Sequence, residues 1–255
     1  MRRHDAASCR NRGRVRRARL EGVESFPEEW QRALAVVAHP DDLEYGVASA
    51  IARWTGEGKT VSYLLATSGE AGIDTMPPEA AGPLRREEER RSAAAVGVTD
   101  VEFLDHADGV VEYGFPLRRD IAAAIRRLRP DVVITVHFEL TWGAGGALNQ
   151  ADHRAVGLAV LDACRDAANR WVFPELGEPW GGVEAVYVAA TDPSTHYVDV
   201  TDSIDAGVAS LREHRVYMEV LGGDFDPEQF LRTHAEEAGR AAGCPCAVTF
   251  RRFAV

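Results

Sequence analysis

The stretch Ala33-Leu-Ala-Val-Val-Ala-His39-Pro-Asp41-Asp42-Leu-Glu44-Tyr-Gly46 sets a short apolar run against a polar junction. Ala33 to Ala38 is too short for a buried helix, and its uniform apolarity predicts a strand covered on both faces. Beyond the junction, Leu43, Val47, Ile51 and Trp54 recur at helical spacing and predict one apolar helix face. One imidazole and two carboxylates therefore stand at the carboxyl end of a strand, where open α/β sheets bind ligands. A capping Asp would accept the free N–H groups of a first helical turn. It accounts for one carboxylate and leaves the second, and His39, unexplained.

The same alternation repeats downstream. Thr60 to Ala66, Val101 to Leu104 and Asp131 to Val136 read as strands, and each runs into polar or glycine-bearing loops. Helical patterns cover Leu84 to Val96, Leu117 to Leu128 and the segment from Asp152 through Cys164. The charged run Arg85 to Arg91 is expected to be a solvated face tied by pairs at helical spacing. Further strands are predicted at Glu184 to Val188, Tyr197 to Val200 and Ala247 to Phe250. Helices are predicted at Asp202 to Leu221 and Pro227 to Ala242. This pattern predicts the α/β class: a right-handed, doubly wound, mostly parallel, Rossmann-like sheet with its active site at the C-terminal strand ends.

With 255 residues, 45% of them hydrophobic, the chain can bury a full core in one domain, expected over residues 25–255. Residues 1–24 carry a crowd of arginines without apolar periodicity and are expected to be a basic, disordered tail. The net charge of −11 argues against a nucleic-acid partner for the body of the protein. No apolar run approaches a membrane span or a signal-peptide core, so a cytoplasmic location is expected. Cys9, Cys164, Cys244 and Cys246 do not have the spacing of a disulfide framework or a zinc knuckle. Trp180-Gly-Gly182 and the helical C-terminal part are candidates for an assembly surface between copies of the chain.

Catalytic zinc takes three protein ligands and keeps one position for water, and two imidazoles with one carboxylate form a known donor set. His39 and Asp42 come from the first strand end, and His153 opens the helix after the fourth. In a doubly wound sheet these two clusters face each other across the switch point. Zn2+ held there would lower the pKa of water towards neutrality. Asp41, beside the ligands, is the candidate general base.

Ala38-His-Pro-Asp-Asp42 with Ala151-Asp-His-Arg154 resembles the LmbE-like (PIG-L) family of zinc-dependent N-acetylglucosaminyl deacetylases, whose usual motifs are (A/P)HPDDE and HxDH. The resemblance runs from about Ala33 to Ala159. It takes in Ser68-Gly-Glu-Ala-Gly72, Arg85 to Glu88, Asp108-Gly109 and Arg129-Pro-Asp-Val-Val133, with weaker likeness from Val198 to His214. It implies hydrolysis of the N-acetyl group of a small amino-sugar conjugate. It also implies His39, Asp42 and His153 as zinc ligands and Asp41, Gln150 and Asp152 as catalytic residues. Glu70, Arg85 and Asp108 are implied as substrate contacts.

Three positions depart from the family pattern. Leu43 precedes Glu44 where the motif has Glu directly after its two Asp residues. Leu148 stands where an aromatic residue is common. Gln150 replaces the first His of HxDH, and an amide can donate to an oxyanion but cannot deliver a proton. His106, His137 and His214 are the other candidates for an acid. The same residues leave open an amidase of a thiol-sugar or natural-product conjugate, and a non-catalytic sugar- or metal-binding protein.

Overall fold

The computed structural model describes residues 23–142, 146–221 and 225–255. The predicted basic tail lies outside them, apart from Val23 and Glu24, and Glu24 already belongs to the first strand. In chain order the elements are β1 (Glu24–Ser25), β2 (Arg32–Val37), α1 (Ala48–Gly56), β3 (Thr60–Leu65), α2 (Pro78–Ala95) and β4 (Asp100–Phe103). Next come α3 (Phe115–Leu128), β5 (Val132–Val136), α4 (Ala151–Ala168), a 3-10 turn (Pro174–Leu176), β6 (Ala185–Ala189) and β7 (His196–Asp199). The chain closes with α5 (Ile204–Leu211), α6 (Arg215–Leu221), α7 (Pro227–Ala242) and β8 (Ala247–Ala254).

One sheet runs in the order β1-β7-β8-β6-β5-β2-β3-β4. All its pairings are parallel except those of β8, which lies antiparallel between β6 and β7. The apolar strands alternate between two cores, as period-two side chains must. Ala33, Ala35 and Val37 of β2 join one core with Ile51 and Trp54 of α1, Val208 of α5 and Leu231 of α7. Leu34 and Val36 face the other with Ile121 of α3 and Val156 of α4. Both faces of β2 are therefore covered beyond the exposed Arg32, which explains the uniformly apolar run from Ala33 to Val37.

From β2 the chain winds outward through β3 to β4, then crosses back to place β5 on the other side of β2. Leu34 of β2 is in register with Val133 of β5. The crevice between the carboxyl ends of β2 and β5 is the switch point of the sheet.

Four details differ from the sequence pattern. Leu43 and Val47 are buried as their spacing predicts, but residues 40–47 form successive turns and α1 begins only at Ala48. The cause is the left-handed φ of 94° at Asp41 directly after Pro40, which a continuous right-handed helix cannot contain. Helix α2 starts six residues before Leu84, with Pro78 at its first turn, where a missing N–H costs no hydrogen bond. The predicted helix Asp202 to Leu221 is broken by a turn at Arg212–His214. Strand β8 continues past Phe250 through Arg251 and Arg252, whose charges masked the strand pattern.

Candidate active site

The loop after β2 delivers His39, Asp41 and Asp42 to the switch crevice, and the first turn of α4 delivers Asp152 and His153 from across it. His39, Asp42 and His153 are all buried, and each offers a ligand atom within 4.8 Å of the others. Nδ1 of His39 lies 3.2 Å from Nε2 of His153. The latter is 3.0 Å from Oδ1 of Asp42, and the His39 Nδ1 to Asp42 Oδ2 separation is 3.7 Å. Tetrahedral zinc with bonds of about 2.0–2.2 Å requires ligand–ligand edges of about 3.3–3.6 Å. The separations bracket these edges, so the three side chains stand close enough to share one divalent ion.

The opposite atoms of these side chains are already occupied, which fixes their orientation. Nδ1 of His153 donates to Oδ1 of Asn149 at 2.9 Å, leaving the Nε2 lone pair for the site. Nε2 of His39 lies 3.1 Å from Asp108 and 3.2 Å from Asp152. Oδ2 of Asp42 accepts from the backbone N–H groups of Ala38 and His39, which frees Oδ1. Burial opposes a charge on His39, but the carboxylates of Asp108, Asp152 and Asp42 outweigh it and push the imidazole up to about 12. Burial also works against ionised Asp42. The imidazoles of His153 and His39 outweigh it and hold the carboxyl well below its ordinary value. A divalent cation would answer the same surplus of negative charge.

Asp41 lies beside these donors but points to helix α2. Its Oδ2 accepts from Nη2 of Arg85 at 3.0 Å, and its backbone N–H donates to Oε2 of Glu89 at 3.2 Å. Burial raises the Asp41 carboxyl to about 6 against the opposing pull of Arg85. Arg85 is only 2% exposed. It also donates to the carbonyls of Pro40 and Gly69, and its guanidinium lies 3.9 Å over the ring of Tyr217. Gly69 adopts φ 62°, and a Cβ there would come within 2.3 Å of Nη1 of Arg85, so this loop needs glycine.

The expectation of a solvated face for Arg85 to Arg91 is corrected by this helix. Arg85, Glu88, Glu89 and Ser92 form a buried polar stripe at one face, while their neighbours Glu87, Arg90 and Arg91 remain exposed. Beneath Asp41 the stripe meets His214, which is 3.7 Å from Glu44 and 3.6 Å from Glu89.

The remaining predicted residues fall into two groups. Glu70 and Asp108 bind the loops after β3 and β4 to each other. Glu70 accepts from the N–H groups of Ser68 and Asp108, and Asp108 accepts from that of Ala71. Asp152 accepts from the N–H groups of Gly109 and Val111, so it fastens the β4 loop over His39. Gln150, by contrast, is exposed at the start of α4 and lines a cavity together with Asp41, Asp42, His153 and Trp142. Of the other histidines, His106 pairs with Asp120 and His137 contacts the carbonyl of Thr141. Asn149 was not singled out by its sequence; the one signal was its place four residues before His153.

Comparison with known proteins bears on this arrangement. The family profile described as PIG-L, GlcNAc-PI de-N-acetylase, matches residues 34–164, which contain both halves of the site. A diacetylchitobiose deacetylase of Thermococcus kodakarensis is 30% identical over 222 residues, covering 84% of this chain and 79% of its own. The chain belongs to the PIG-L family. A 1D-myo-inositol 2-acetamido-2-deoxy-alpha-D-glucopyranoside deacetylase 2 of Saccharopolyspora erythraea is 29% identical and is aligned over 75% of this PIG-L chain and 85% of its own length. The solved N,N'-diacetylchitobiose deacetylase from Pyrococcus horikoshii, complexed with its inhibitor MPG, superposes with a TM-score of 0.79 at 24% identity. The match covers 89% of this chain and 85% of that one, and it shows the shared fold. Among the described residues of this PIG-L protein, no helix is long and apolar enough to cross a membrane.

Proposed function

We propose that this PIG-L protein is a zinc-dependent hydrolase that removes the N-acetyl group from an amino-sugar conjugate. The observation that carries the reading is the convergence of His39 Nδ1, His153 Nε2 and the carboxylate of Asp42 beside Asp41. The relatives named as deacetylases support an active enzyme over a non-catalytic sugar- or metal-binding protein.

Zinc, which His39, Asp42 and His153 would hold, would supply Lewis acidity towards the amide carbonyl and the attacking water. Asp41 takes the proton of the attacking water as its oxygen bonds to the carbonyl carbon. Arg85 and Glu89 hold the carboxylate and backbone of Asp41 in place for that transfer. The Gln150 amide donates to the oxygen on which negative charge develops. Protonated Asp41 then passes its proton to the departing nitrogen as the C–N bond breaks, giving acetate and a free amine. Asp152 acts through His39, and Glu70 and Asp108 fix the loops that face the sugar.

Incubating the zinc-loaded protein with N-acetylated amino-sugar conjugates, diacetylchitobiose among them, tests the reading. Equimolar acetate and amine should appear, stop on chelation and return with zinc. A fully metallated protein that releases neither product from any of them would overturn it.

A further inference from the structure

The turn at Arg212–His214 sends α6 across the buried stripe of α2. Oε1 of Glu88 accepts from the backbone N–H of Val216 at 2.7 Å, and His214 stands beside Glu89. Arg85 and Glu88 are three residues apart on α2 and share a face, so the residue after Val216 falls against Arg85. That residue is Tyr217, and the guanidinium carbon of Arg85 stands 3.9 Å over the centre of its ring.

Tyr217 separates two environments. It is half-buried and lines a cavity of about 740 Å³ together with Asp41, Asp42, Gln150 and His153. Arg85 is not in the wall of that cavity, although its Nη2 donates to Asp41, which is. Its other polar contacts are the carbonyls of Pro40 and Gly69, and among the described residues nothing accepts from its buried Nε. A ligand in the cavity therefore meets Asp41 and the phenol, with the guanidinium shut away under the ring.

An aromatic face attracts a guanidinium, and more strongly where water is excluded. Excluding water also strengthens the attraction between Arg85 and Asp41, since charges interact more strongly in a low dielectric. A smaller aliphatic side chain at this position would admit cavity water to the guanidinium and loosen its hold on the carboxylate. The face of the ring makes this contact, not the hydroxyl.

We propose that Tyr217 is a positioning residue whose ring seals the Arg85–Asp41 pair from the cavity, so that Arg85 serves the base and not the sugar. This rests on the deacetylase reading for the role of Asp41 alone. Under this assignment the substrate contact that the family resemblance implies for Arg85 is not made.

The test uses the full zinc-loaded chain with diacetylchitobiose and compares Tyr217→Phe, which keeps the ring, with Tyr217→Leu, which does not. Tyr217→Phe should keep kcat within about twofold, while Tyr217→Leu should lower it about tenfold with KM and bound zinc little changed. In an Arg85→Gln background, where there is no pair left to seal, Tyr217→Leu should cost less than about twofold further. Exchange of the Arg85 Nε–H with water, followed by nitrogen-edited NMR, needs neither turnover nor a second substitution. It should quicken by about tenfold or more in Tyr217→Leu and stay unchanged in Tyr217→Phe. Quickened exchange in Tyr217→Leu, with no hydrolysis by the unaltered protein, supports the seal and counts against the deacetylase reading alone. Unchanged exchange, or an unchanged kcat in an active enzyme, would overturn the proposal. So would an equal loss in Tyr217→Phe, a loss confined to KM, or losses that multiply in the double variant.

Discussion

The backbone N–H of Asp41 donates to Oε2 of Glu89 at 3.2 Å while Asp41 holds a φ of 94°. A non-glycine residue in that region is strained by the order of 1–3 kcal/mol and persists only where its surroundings hold it. Glu89 is fully buried, and burial together with Glu44 raises its carboxyl well above the ordinary range. Glu89 is therefore a positioning residue for the proposed base. Glu89→Leu should lower kcat by about 10- to 100-fold with KM and bound zinc little changed, because a displaced carboxylate loses proton transfer before it loses substrate. Glu89→Gln keeps an acceptor oxygen and should restore most of the rate. Equal loss in both variants would assign Glu89 to the fold instead.

Asp41→Asn separates chemistry from metal binding more sharply. The amide is nearly isosteric and leaves all three zinc donors intact, but it cannot accept the water's proton. Zinc content should remain at one equivalent per chain while kcat falls by about 10²- to 10⁴-fold. Full activity in this variant would remove Asp41 from the base role.

Asn149 orients His153 through Nδ1 and is itself held, its amide donating to the carbonyls of His137 and Glu139. Asn149→Ala frees the imidazole to rotate. Zinc affinity, measured by competition with a chromophoric chelator, should fall by about 10- to 100-fold. An unchanged affinity would mean that packing alone fixes the ring.

Gln150 gives the prediction that bears on the missing family histidine. Gln150→Ala removes the proposed oxyanion donor and should lower kcat by about 10²-fold at unchanged KM and zinc content. Gln150→His tests adaptation: a loss of rate supports a site built around the amide. A rate in Gln150→Ala equal to that of the unaltered protein would eliminate the oxyanion role.

The parts of this molecule that were legible in advance are those written in short segments. Val36 and Val37 run into His39, and His153 opens a helix, so strand ends and donors could be placed without knowing which helices packed beneath them. Parallel strands leave that signature because both faces are buried. The support of Asp41 was not legible. Glu89 sits in a run of charges whose composition reads as a solvated face, and it is separated from Asp41 by 48 positions. Only the packing of α2 against α5, with His214 following α5, turns that stripe inward. Asn149 was hidden for a different reason, since a side chain that holds a ligand needs only the right distance and no motif. Strand β1, two residues long, carries too little pattern to be seen at all.

The central claim is tested most directly by anomalous diffraction from crystals of the zinc-loaded protein. One strong peak per chain is predicted, bounded by His39 Nδ1, Asp42 Oδ1 and His153 Nε2 and adjacent to the Asp41 carboxylate. A peak elsewhere, or three donors turned away from one another in a protein carrying a full equivalent of zinc, would contradict it.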